Sequence, residues 1–284
     1  MKLMKGLVSI LAVSCSTFVF ASAVLANDES DSSVETEEFV RYQYQDKISY
    51  GKLDKGAVLP ISGEIFGEYS VAKASIPLES IEVLLPTQPE KVFAVGMNFA
   101  SHLASPADAP PPMFLKLPSS LTLTGEVIQV PPGAKNVHFE GELVIVIGKQ
   151  ISRATEEETE QAIFGVTVGN DITERSWQGT DLQWLRAKAS DGFGPIGNTI
   201  VRGIDYNNVQ LTTRVNGKVV QQENTSFMIH KPTKVISYLS QYFTLKPGDL
   251  VFMGTPGRTY ALSDKDQVSV TIEGVGTVVN EVRF

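Results

Sequence analysis

Apolar residues along this chain recur at period two or in short unbroken runs, the spacing of strands rather than of long helices. From Phe39 to Ile81, Val40-Arg41-Tyr42-Gln43-Tyr44 and then Gly51-Lys52-Leu53 are punctuated by Gly and Asp, which predicts a small set of strands. Leu84-Leu85-Pro86 and Gln88-Pro89 mark a connection to a main domain that begins near Lys91. There, Val92 to Gly96, Leu143 to Gly148 and Val166-Thr167-Val168 predict buried strands. Asn216-Gly217 places a hairpin within Leu211 to Gln221. The C-terminal stretch alternates at Val268, Val270 and Ile272, with Val278, Val279 and Val282 following. Helices are few. Thr155 with Glu158 forms a capping box that opens a short helix before Gly165. Pro232 to Phe243 carries Val235, Ile236, Leu239 and Phe243 on one side. Ser101 to Pro112, rich in Ala and Pro, reads as a loop that could cover a site. With no repeat and no βαβ rhythm, the expectation is a β-rich α+β fold. It divides into a small N-terminal β unit at 39–88 and a main domain at 89–284.

The N-terminus departs from this pattern. Lys2 and Lys5 precede an uncharged, largely apolar run from Leu7 to Leu25. Val24-Leu25-Ala26 follows, then the abruptly polar Asn27-Asp28-Glu29. These are the three parts of a secretory signal, with cleavage expected after Ala26. The rival readings are an uncleaved anchor and lipid attachment at Cys15, against which the continuing apolar run counts. Residues 27–38, acidic and Ser-rich, read as a flexible tether. The expected location is outside the cytoplasm, in a periplasm, with no membrane attachment after cleavage.

Composition narrows the function. Across 284 residues, 42% hydrophobic and 20% charged is an ordinary globular balance, long enough to bury a sizeable core. A net charge of −8 gives no electrostatic reason to bind nucleic acid or an anionic membrane. It does not exclude a small anionic substrate, since a bound cation reverses the sign locally. Cys15 is the only cysteine, so the mature chain has no thiol nucleophile, thiolate metal site or disulfide.

Three acids carry the chemistry. Glu140 and Glu142 stand two apart at the mouth of the Leu143 strand, and period two puts both carboxylates on one face. Like charges so placed repel unless a cation or proton lies between them. Asp171 ends a second strand after Gly169-Asn170. Three carboxylates without a thiol suit Mg²⁺, Mn²⁺ or Ca²⁺. The bland alternative is a solvated sheet face. Lys188 could stabilise an enolate or bind a carboxylate near such a metal; a surface lysine is the commoner state. Gly254-Thr255-Pro256-Gly257 is too short for a phosphate loop and lacks its lysine. As a turn it could hold a carboxylate through the Thr255 hydroxyl, or be a plain turn. His102, at the start of the covering loop, is a candidate general base. His138, near the carboxylate pair, reads as a supporting group and His230 as structural.

In order, Val95-Gly96-Met97-Asn98-Phe99, Phe114-Leu115-Lys116, Phe139-Glu140-Gly141-Glu142-Leu143, Gly169-Asn170-Asp171, Arg186-Ala187-Lys188 and Gly254-Thr255-Pro256-Gly257 resemble the fumarylacetoacetate hydrolase family. The resemblance runs from about Lys91 to the C-terminus. It implies a mixed β-sandwich roll, usually a homodimer, with Mg²⁺ or a similar ion on Glu140, Glu142 and Asp171. It implies that Lys188 faces the substrate beside the metal, that Gln178 contacts the substrate and that Thr255 contacts a carboxylate. Family members hydrolyse, decarboxylate, hydrate or isomerise oxo acids and dienoates, and share stabilisation of an enolate at the metal.

Two departures bear on the reaction. Many hydrolytic members carry a Glu three residues after the loop histidine; here Ser105 stands there, and Asp108 is the only acid in the loop. Ser176 follows Arg175 where many members have Asp. The expectation is a divalent-metal enzyme on small oxo acids or dienoates: a tautomerase or isomerase, a decarboxylase or an acylpyruvate-type C–C hydrolase. Ser105 shifts it toward proton movement. The alternative is a protein that binds metal and oxo acid without turnover.

Overall fold

The computed structural model describes residues 36–102, 110 and 112–284. The signal segment with Cys15, most of the tether, Ser105 and Asp108 lie outside the described residues. The fold is the expected β-rich one, with two large sheets and short helices. The first sheet starts in the N-terminal meander of Glu37–Tyr44, Lys47–Asp54 and Ala57–Gly63. Glu37–Tyr44 then pairs antiparallel with Thr199–Arg202, which leads through Ile163–Asn170, Gly141–Ile147, Leu250–Phe252 and Val92–Val95 to an edge at Met113–Lys116. The second sheet runs Val127–Gln129, Gly276–Arg283, Gln267–Ile272, Gln210–Val215 and Lys218–Asn224.

The unbroken apolar run in Gly141–Ile147 has a direct cause, because the strand is covered on both faces. Leu143, Ile145 and Ile147 pack with Leu211, Val270 and Ile272 of the second sheet and with Val235 and Leu239 of a helix. Val144 and Val146, pointing the other way, join Phe39, Ala94 and Phe252. Each such side chain, fully buried, contributes roughly 1.5–3 kcal/mol. At Gly141 the second sheet comes close against the first. A Cβ there would run into Thr213 Oγ1 and lie 2.9 Å from Val270 Cγ1.

Several boundaries differ from those expected. The N-terminal strand begins at Glu37, inside the stretch read as tether. Glu37 is held by Lys52, 3.1 Å away, and by Arg202, so its charge is used in the sheet edge rather than left in solvent. The connection after Ile81 contributes a short strand, Glu82–Val83, paired with Tyr42 and Gln43. The helix from Pro232 stops at Ser240, three residues early. Its last turn tightens to i→i−3 bonds, Gln241 N–H to Tyr238 O at 3.2 Å and Tyr242 N–H to Leu239 O at 3.1 Å. Phe243 is therefore outside the helix and half exposed, its ring against Phe93. The capping box at Thr155 and Glu158 forms as predicted, as does the hairpin at Asn216-Gly217, whose two turn residues have φ > 0.

Candidate active site

The two central strands set the site. Gly141 pairs with Asn170, so Glu140 and Asp171 emerge together where the ladder ends. The Asp171 N–H donates to Glu140 O at 2.8 Å, and Asn170 Oδ1 accepts the Glu140 N–H at 2.9 Å. Glu142, opposite Gly169, turns its side chain to the same side as Glu140, while Gly141 faces the second sheet. The result is three buried carboxylates that each offer an oxygen, these oxygens lying within 4.8 Å of one another.

The surrounding charges are shared unevenly. Lys188, on the short helix Leu185–Ala189 and 2% exposed, donates from Nζ to Glu140 Oε2 and Asp171 Oδ2, each at 2.5 Å. Lys116 donates to Asp171 Oδ1 at 2.6 Å and to the Lys188 carbonyl. Arg175 donates from Nη2 to Glu140 Oε1 at 2.5 Å and from Nη1 to Gln178 Oε1 at 2.8 Å. Burial alone would raise the Glu140 pKa, but Lys188 and Arg175 outweigh it and hold it far below the usual carboxylate range. Glu142 fares differently. Among the described residues its one hydrogen bond is from the Gly254 N–H at 2.7 Å, and burial, then the charges of Asp171 and Glu140, push its pKa well up. Gly254 must be glycine: at φ +88°, a Cβ would sit 2.8 Å from Asn98 Cβ.

This donor set fits a hard divalent cation. The ligands are all carboxylate oxygen, and Glu142 is the one whose charge no side-chain cation among the described residues compensates by direct contact. Glu140, Glu142 and Asp171 would hold the ion.

Glu140, Glu142, Asp171, Lys188, His102, Gln178 and Thr255 all line one cavity of about 410 Å³. His102 Nδ1 lies 2.6 Å from Gly257 O. A carbonyl only accepts, so Nδ1 carries a proton, and Nε2, 3.8 Å from Glu140 Oε1, is the ring nitrogen left to exchange one. His138 is outside the cavity but behind Arg175. Its Nδ1 lies 2.9 Å from Thr259 Oγ1, which also accepts from Arg175 at 3.0 Å. Burial, then the Arg175 charge, lowers its pKa to about 4. His230 is buried, and its backbone N–H donates to Asn98 Oδ1 at 2.8 Å, a structural role.

Three residues at or beside this site, Lys116, Arg175 and Gln221, were given no role by sequence reasoning. Lys116 shares the inward face of Met113–Lys116 with Phe114, a lysine at an apolar register position and the one available signal. Gln221 is the only fully buried residue of Lys218–Asn224, and nothing in its neighbourhood announces that.

Comparison with known proteins agrees with this geometry. The family model "Fumarylacetoacetate (FAA) hydrolase C-terminal" matches residues 91–283, and "Rv2993c-like, N-terminal" matches residues 38–86. Protein Rv2993c of Mycobacterium tuberculosis is 40% identical over 223 residues, covering 76% of this chain and 84% of that protein. The human mitochondrial oxaloacetate tautomerase FAHD2A is 34% identical, covering 73% and 71%. The crystal structure of 2-hydroxyhepta-2,4-diene-1,7-dioate isomerase from Mycobacterium marinum superposes with a TM-score of 0.81 at 35% identity, covering 87% of this chain and 98% of that one.

Proposed function

The chain belongs to the fumarylacetoacetate hydrolase family, and from that membership we propose that it is a divalent-metal-dependent enzyme interconverting the enol and keto forms of a small oxo acid. The observation that carries this reading is the seat of Lys188, fixed 2.5 Å from both Glu140 and Asp171 in the wall of the cavity. A divalent cation on the three acids supplies the charge that polarises a substrate carbonyl. Lys188 adds positive charge where a carbonyl oxygen becomes negative during enolisation. His102 is the base. With Nδ1–H tied to Gly257 O, its Nε2 accepts a proton from the carbon beside the carbonyl and returns it to the enol oxygen or the carbon. Glu140 stabilises the transient imidazolium. Gln178 and Thr255 orient the rest of the substrate.

Hydrolysis makes a further demand, a water deprotonated by an imidazole that a carboxylate holds and strengthens. Among the described residues, His102 Nδ1 meets a backbone carbonyl instead, which supports proton movement over C–C cleavage. The activities for which the human tautomerase and the mycobacterial isomerase are named support the same reading. Oxaloacetate is therefore the first substrate to try. Decay of its enol absorbance should be accelerated by the Mg²⁺-loaded protein, abolished by a chelator and restored by Mg²⁺. Rapid acylpyruvate cleavage with no effect on enol oxaloacetate would overturn the reading.

A homodimer is part of the proposal. Leu115, Leu182 and Leu185 are 50%, 86% and 53% exposed around an apolar cleft beside the site, next to the edge strand Met113–Lys116. A monomer mass by light scattering would remove it.

A further inference from the structure

Thr255 is 4% exposed and lines the active-site cavity, and its hydroxyl has one partner among the described residues. That partner is Gln221 Nε2, at 2.9 Å. The orientation of the Gln221 amide is not free. Nε2 also lies 2.5 Å from Pro256 O, and Oε1 lies 3.3 Å from the Gly141 N–H. Flipping the amide would set oxygen against a carbonyl and an NH₂ group against an N–H, two mismatches in a buried place. The NH₂ group must therefore face Thr255. An amide NH₂ has no acceptor capacity, so Thr255 Oγ1 accepts from it and keeps its own hydrogen. No acceptor among the described residues takes that hydrogen. An irregularity in the pairing beside Thr213 accompanies the inward turn of Gln221, which sits opposite Thr213 between the exposed or half-exposed Val220 and Gln222.

We infer that Gln221 is a positioning residue that commits Thr255 to donating its hydroxyl hydrogen to an oxygen of the bound ligand. The inference rests on the oxo-acid reading and deepens it. At this point of the cavity the ligand must present an acceptor, a carboxylate or carbonyl oxygen, and a hydroxyl or ammonium group is disfavoured there. Gln221 touches no ligand itself; it acts by removing the other role Thr255 could play.

The test is a double-mutant cycle on the Mg²⁺-loaded protein with enol oxaloacetate as probe. Thr255→Val and Gln221→Met should each raise KM about tenfold, the worth of one charge-assisted hydrogen bond. kcat and metal content should change little. The double variant should match Thr255→Val alone, because Gln221 has nothing left to act through. Wild-type KM in Gln221→Met, or penalties that add in the double variant, would overturn the inference while leaving the oxo-acid reading intact. If the wild-type protein does not act on oxaloacetate, that reading fails and this one with it. Neutron diffraction from crystals of the wild-type protein gives a second measurement should Gln221→Met not fold. Deuterium on Thr255 Oγ1 is expected to point into the cavity, and deuterium pointing at Gln221 would overturn the inference.

Discussion

Asp249 and Glu142 are both carboxylates sealed from solvent, and their surroundings are opposites. Asp249 Oδ1 accepts the N–H groups of Glu90 and Lys91 at 3.1 and 2.9 Å, and Oδ2 accepts that of Lys246 at 2.9 Å. Lys91 Nζ adds an ion pair at 3.1 Å. Its charge is satisfied by groups whose own needs it meets, so the acid staples the turn at Gly248 to the start of Val92–Val95. Glu142 accepts one backbone N–H among the described residues, and the like charges of Asp171 and Glu140 outweigh the attraction of Lys188. Burial alone thus does not mark a functional acid. The mark is a deficit that the chain leaves for something else to fill.

The strongest way to break this comparison is to remove Glu142. Glu142→Gln should lose metal and lower tautomerase activity by roughly 10³-fold, on the scale of removing a principal electrostatic element of a site. Its stability without metal should move the other way. In chelated protein, the Glu142 pKa is raised above its unfolded value. Between those two values the native state binds the proton and the unfolded state does not, so stability falls as pH rises. Glu142→Gln removes that loss. Denaturation of chelated proteins should show the variant at or above wild type, with a gap that widens as pH rises above the ordinary carboxylate range. A variant clearly weaker than wild type at pH 8 would mean that Glu142 is a structural acid like Asp249.

Removing Asp249 is the complementary experiment. Asp249→Ala strands three partly buried N–H donors and one lysine, and should cost roughly 3 kcal/mol. Metal content and KM of the protein that remains folded should be unchanged. Denaturant midpoints with metal analysis test both halves. A variant that keeps its stability but loses metal would erase the distinction.

How far this contrast could be read in advance differs from residue to residue. The same-face placement of Glu140 and Glu142 follows from strand period alone, and Gly141 between them is explained once the second sheet is known to approach there. Asn216-Gly217 and the Thr155 capping box are local chemistry and were legible for that reason. The end of the Pro232 helix was not, because its last turn is tightened where Ser240 bonds to Ala154, some 86 residues away in sequence. Lys116 and Asp171 are 55 residues apart, and Gln221 meets Thr255 across 34. A side chain's role in such pairs exists only after folding. The family resemblance gave roles to residues that face the cavity; it ran through Lys116 without giving it a role and did not reach Gln221.

The smallest expected effect sharpens the comparison with a third case, a half-buried base kept neutral. Arg175 donates to Thr259 Oγ1 at 3.0 Å, so the Thr259 hydroxyl hydrogen is free to go to His138 Nδ1 at 2.9 Å, and His138 Nε2–H donates to Asn136 Oδ1 at 2.9 Å. That arrangement needs an unprotonated Nδ1, in keeping with a pKa pushed down to about 4 by burial and by Arg175. In the unfolded chain a histidine titrates near ~6.5. Between those values the unfolded state takes up a proton that the folded state refuses, so stability is lost as pH falls from about 6.5 to about 4, and no further below. His138 is only half buried, and solvent screening brings the expected contribution down to about 1 kcal/mol or less. His138→Gln should remove it. The stability difference between wild type and variant, from urea denaturation, should shrink steadily from pH 6.5 to pH 4.5 while other acids titrate equally in both. Parallel curves would mean that His138 accepts a proton in the folded protein, and the hydrogen-bond chain through Thr259 to Arg175 would then run in the other direction.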